Sequence, residues 1–148
     1  MAEFNYTECG LDNVVISGID IVTDHAGEET FQIPNIIGLH KVIAASIIKQ
    51  PHGMSPNELR FLRTEMGETQ AQLAELVNKD QQTVGRWERG ECPIETNIET
   101  IIRLHAAEVL GIQVDMPIAD LVKNCIPRAE FSVIQIDGSD PTHYKTAA

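Results

Sequence analysis

The sequence predicts an α+β fold, in which a run of five helices follows an N-terminal strand–helix module and precedes a C-terminal strand. Three observations carry that prediction. A β-branched run at Asn13–Ile16 is followed by Ile19, Ile21, Phe31 and Ile33 alternating with polar residues about a turn, paired helix start and stop signals recur from Ser55 to Gly111, and a short β-rich run, Phe131–Ile136, lies near the end. The implied organisation is a strand/helix module over residues 1–53, a helical domain over 54–126, and a strand with a polar tail over 127–148, the tail expected to fray.

Each element has a local reason. Asn13–Ile16 is β-branched, and Ile19 and Ile21, then Phe31 and Ile33, alternate on either side of a turn at Asp24–Glu28 in which Gly27 supplies the bend. Pro34 opens a helix with Ile36, Leu39, Val42, Ile43 and Ile47 at helical spacing, and Gln50–Gly53 reads as a linker. Ser55-Pro56-Asn57-Glu58 combines a capping serine, a proline suited to the first turn and a glutamate placed to bond back. That helix stops at Gly67. Thr69 caps the next, with Leu73, Ala74 and Val77 inward. After a turn at Asn78–Lys79, Asp80 caps a third helix that ends at Gly90. A fourth spans about Asn97–Leu110, with Ile98, Ile101, Ile102, His105 and Val109 on one face, and a fifth runs from near Pro117 to near Cys125.

Composition sets bounds and raises an objection. The chain of 148 residues carries 22 acidic and 11 basic residues, a net charge of −11. Taken alone, that argues against nucleic acid, where affinity rests on basic side chains. By segment the picture changes: 1–54 has seven acids against two bases, 91–148 nine against four, and 55–90 six against five. The acidity sits in the flanks. No apolar run approaches the ~20 residues of a membrane span, and the N-terminus lacks the basic start and apolar stretch of a secretion signal. Three scattered cysteines, Cys9, Cys92 and Cys125, fit a reducing cytoplasm.

Two short helices joined by a tight turn within a run of five have the geometry of a helix-turn-helix. The residues Thr69–Gly90, TQAQLAELVNKDQQTVGRWERG, resemble the helix-turn-helix of the XRE/Cro/434-repressor family, and the likeness covers Ser55 to about Leu110. It implies a five-helix lambda-repressor-like domain that binds double-stranded operator DNA. GLDNV and GLHKVIA, in the first fifty residues, resemble the N-terminal module of HigA/MqsA-type antitoxins. Relatives of the MqsA type are expected to hold zinc through N-terminal cysteine pairs. Only Cys9 stands there, so no metal is expected.

On the third helix, Gln81, Gln82 and Arg86 face outward, whereas Val84 and Trp87 face inward. Glutamine can pair with adenine N6/N7 and arginine with guanine O6/N7. Thr83 can touch a thymine methyl or a phosphate. Thr69 and Gln70 begin the second helix, where backbone N–H groups and a side-chain amide can hold a phosphate, and Lys79 and Arg89 are expected as flanking phosphate contacts. By resemblance, Gln70, Gln81, Gln82 and Arg86 fall on the family's DNA-contacting positions. Glu88 is expected to pair with an arginine or to cap a neighbouring helix, since a carboxylate facing phosphate is repelled. Gly85 weakens its helix and implies a close approach, by DNA or by a neighbouring helix.

His25, His40, His52, His105 and His143 share no ligand spacing, and nucleophile or phosphate-loop motifs are lacking, so neither enzyme activity nor a cofactor is expected. His40 and His105 read as core or interface histidines. The leading expectation is a repressor that reads an inverted repeat as a homodimer. The alternatives are an antitoxin whose acidic flanks bind a basic toxin while it represses its own operon, and a regulator gated by a small molecule.

Overall fold

In a computed structural model, residues 3–19, 21–23, 25–27, 29–31, 33–126 and 133–147 are described. In chain order the elements are β1 (Glu3–Asn5), β2 (Val14–Ser17), β3 (Ile21–Thr23), β4 (Glu29–Phe31) and α1 (Ile36–Lys49). Then follow α2 (Pro56–Glu65), α3 (Gln70–Leu76), α4 (Gln81–Glu88), α5 (Thr96–Leu110), α6 (Ile118–Asn124), β5 (Ile134–Asp137) and β6 (Lys145–Thr146). The fold is mixed α+β, as expected, and α2–α6 make the five-helix lambda-repressor-like run. The chain divides into two units, residues 1–43 with 131–148, and residues 44–130.

The first unit holds a four-stranded sheet in the order β1-β2-β5-β6. β1 and β2 are antiparallel, β2 and β5 parallel with Val14 opposite Ile134, and β5 and β6 antiparallel with Ile136 opposite Thr146. β3 and β4 form a separate antiparallel hairpin. Gly27, in the turn between them, has φ of 82°, a conformation costly for residues with a Cβ. The ends of the turn expected at Asp24–Glu28 lie outside the described residues, as do Phe131 and Ser132 of the strand expected at Phe131–Ile136. Tyr6, Leu11, Val14, Ile16, Ile134 and Ile136 are buried. His40 lies on α1 with its Nε2 2.8 Å from the Tyr6 hydroxyl. The tail departs from expectation. Rather than fraying, Lys145–Thr146 pairs with β5, and Tyr144 is buried with its hydroxyl donating to the Pro34 carbonyl.

The second unit has its core in Leu59, Leu73, Ala74, Val77, Val84, Trp87, Ile98 and Ile102, with Cys92 and Ile94 packed against it. Two features differ from the sequence reading. On α5 the inward face carries Ile98, Ile102, Arg103, Ala106 and Ala107, whereas Ile101 and Val109, expected inward, are each 46% exposed. The buried face is rotated from the expected one, and Arg103, on which the sequence reading placed no role, is fully buried in it. The Gln50–Gly53 segment, expected as a linker, is held fast. Arg103 donates to the carbonyls of Ile48, Gln50 and His52, and the Gly53 N–H donates to the Ile126 carbonyl.

Candidate nucleic-acid interface

The local sequence places each part of this surface. Ser55 caps α2 in a full capping box with Glu58 and with Pro56 in the first turn, and Thr69 caps α3 in a second box with Gln72. Between α3 and α4 the chain turns through Asn78 at φ 57°, a left-handed conformation that asparagine tolerates better than most residues. Asp80 then caps α4: its Oδ1 accepts from the Thr83 N–H at 2.8 Å and from the Thr83 hydroxyl at 2.7 Å. Those bonds favour the ionised form and hold the Asp80 carboxyl below its ordinary range.

Beneath α4 lies an ion-pair network. Glu88, almost fully buried, accepts from Arg63 Nε at 2.6 Å and Arg63 Nη2 at 3.0 Å, a bidentate pair. Arg60 stands 3.7 Å away, and Gln70 Nε2 donates to Glu88 Oε1 at 3.2 Å. Arg63 also donates to the Glu68 carbonyl at 3.0 Å, tying down the α2–α3 turn. The Glu88 carboxylate and the hydrogen bond raise the pKa of Arg63 further, against the cost of its partial burial. The arginine partner expected for Glu88 is therefore Arg63. Trp87 and Val84 face the core, as expected. His105 stands partly buried on α5 with its Nε2 2.7 Å from Glu68 Oε2.

The outward side of the motif carries the expected polar residues. Gln81, Gln82, Arg86, Lys79 and Arg89 are exposed, and Thr69 stands exposed at the start of α3. An open depression of about 660 Å³ is lined by Gln70, Asp80, Gln81, Gln82, Gly85 and Arg89. The structure thus brings together Gln70, Gln81, Gln82 and Arg89. Thr69, Lys79, Thr83 and Arg86 are not among the lining residues. Thr83 is half-buried and spends its hydroxyl on Asp80, and Lys79 Nζ lies 3.7 Å from Glu95 Oε1. Arg89 Nε donates to Glu91 Oε2 at 2.6 Å.

Sequence reasoning did not find the Gln70–Glu88 bond or the Arg89–Glu91 pair. The first joins residues 18 positions apart on different helices, and no local pattern announces it. The second is a near neighbour that charge alternation could have suggested. Chemically, the surface offers amide and guanidinium hydrogen-bonding groups on a shallow, water-exposed face. Such groups suit recognition of hydrogen-bonding edges.

Comparison with known proteins agrees with this geometry. Residues 59–115, from α2 through α5, match the helix-turn-helix family model. No match was found among curated proteins or among solved structures.

Proposed function

We propose, from the match of residues 59–115 to the helix-turn-helix family model and their likeness to XRE-type DNA-binding regulators, that the protein is a transcriptional repressor that reads an inverted repeat as a homodimer. The observation that carries the proposal is the outward face of α4. Gln81, Gln82 and Arg86 are exposed there, while Val84 and Trp87 anchor the same helix in the core. A helix so anchored can enter the major groove with its N-terminal residues against base edges. Gln81 and Gln82 then suit adenine, and Arg86 suits guanine. Thr83 offers its methyl to thymine, since its hydroxyl is occupied by Asp80. Thr69 and Gln70 approach the backbone from the start of α3, and Lys79 contacts phosphate. One such motif touches few base pairs, so useful discrimination calls for two copies on half-sites about 34–36 Å apart.

The test is binding to the intergenic DNA upstream of the gene, with the stoichiometry of the complex measured by sedimentation. Two protein chains per duplex, and affinity that falls with salt, support the proposal. A protein that stays monomeric and shows no salt-dependent binding overturns it. A second reading, an antitoxin that binds a basic toxin through its acidic flanks, is favoured by the charge of −5 on each flank. A small basic ribonuclease-like neighbour that co-purifies with the chain would support it.

A further inference from the structure

Gly85 lies in the middle of α4, where glycine weakens a helix relative to alanine. Its φ is not in the left-handed region, so the backbone does not require it. What it leaves is room. A Cβ at this position would stand 3.0 Å from Arg89 Nη1, 3.8 Å from Arg89 Cζ and 3.6 Å from Gln70 Oε1. Helical side chains lean toward the N-terminus of their helix. Arg89, the C-cap of α4, accordingly folds back over the position four residues earlier, into the depression that Gln81 and Gln82 also line.

Two carboxylates set the orientation of the groups there. Glu91 accepts from Arg89 Nε at 2.6 Å, which leaves the Nη1–Nη2 edge without an acceptor among the described residues. Glu88 can only accept, so its bond from Gln70 Nε2 turns Gln70 Oε1 away from it, toward the gap at Gly85. Arg89 was expected at the flank, on phosphate. Its guanidinium lies beside Gly85, in the depression that Gln81 and Gln82 line.

We propose that Arg89 is a specificity-determining residue, admitted to the reading surface by Gly85 and held by Glu91, and that its Nη1–Nη2 edge recognises a guanine. The fork of two N–H donors matches guanine O6 and N7, whereas adenine presents one acceptor beside a donor. This inference rests on the DNA-binding reading above.

The experiment uses the full chain and a duplex that the wild-type protein selects from a randomised library, beside an unrelated duplex, each titrated across a range of salt. Arg89→Ala weakens binding to the selected duplex about tenfold or more. It leaves the unrelated duplex and the salt slope unchanged, and selection repeated with it loses one guanine position. Gly85→Met, whose side chain fills the gap, does the same, and the double variant is no weaker than Arg89→Ala alone. Gly85→Ala, which obliges the guanidinium to move by only a few tenths of an ångström, gives a smaller loss with no fall in melting temperature. It carries the test with Arg89→Ala if Gly85→Met fails to fold.

Equal loss on both duplexes with a shallower salt slope would make Arg89 a phosphate contact and overturn the proposal. Additive losses for Gly85→Met and Arg89→Ala would overturn it as well, while the DNA-binding reading stood. Absence of salt-dependent binding by the wild type to any duplex would remove that reading and this inference together.

Discussion

Arg103 is fully buried and donates to Glu99 Oε2 and to the carbonyls of Ile48, Gln50 and His52. Glu99 Oε2 accepts the Met54 N–H as well. Removing one partner of such a pair leaves the other charged group and the carbonyls unsatisfied in a dry interior. Arg103→Ala is expected to cost about 3–5 kcal/mol in urea unfolding. Joint replacement, Arg103→Met with Glu99→Leu, should be less destabilising than the single change. Burial pushes the Glu99 carboxyl above the usual carboxylate range, against the pull of Arg103 and the Met54 N–H. Nothing in the sequence announced this residue. Its partners are backbone carbonyls, which every sequence has, and an arginine in a helix is ordinarily assigned to solvent. The outward assignments of Gln81, Gln82 and Arg86 succeeded for the opposite reason, because each depends only on position relative to Val84 and Trp87 in the same helix.

At the scale of elements, the starts and ends of α2, α3 and α4 were legible because caps are local. Serine, threonine or aspartate at the cap and the residue three positions later suffice to specify them. Ser55→Ala is accordingly expected to cost about 1 kcal/mol, read as a shift in the urea midpoint with the slope unchanged. Ser55 does not line the depression at α4, so DNA affinity at temperatures where the variant remains folded should not change. β1 and β6 escaped notice, being three and two residues long. Strands so short carry no periodicity, and only their partners β2 and β5 reveal them. The α5 face was misplaced for a related reason: the apolar residues on its exposed side, Ile101 and Val109, satisfied the helical period as well as the buried ones did.

For the molecule as a whole, charge governs both solubility and binding. With −5 on each flank and −1 between them, non-specific attraction to phosphate should be weak, and under the proposed function binding should lean on base contacts and on dimerisation. Lys79→Ala should weaken binding evenly across sequences and reduce the salt slope by about one, measured by titration at several ionic strengths. Stability should vary with pH in a calculable direction. Asp80, Asp137 and Asp140 have carboxyls lowered by bonds from Thr83, Ser139 and Thr142. Their contribution is complete above the ordinary carboxylate range and is lost as pH falls through the lowered values. Glu99, raised, acts in the opposite sense: its contribution declines as pH rises from the ordinary carboxylate value to the raised one. Thermal melts from mild acid downward should therefore fall, and fall more steeply in a Glu99→Gln variant.

The parallel pairing of β2 with β5 has a consequence in time. Val14 cannot meet Ile134 until the chain between them has left the ribosome. The helix-turn-helix, built from contacts near in sequence, can form during synthesis, while β2 waits with an open edge. A message truncated after α6 would yield a nascent product with its reading helix encoded and its sheet unfinished, the kind of exposed strand that invites aggregation and proteolysis. Completion of the sheet therefore waits on the emergence of β5.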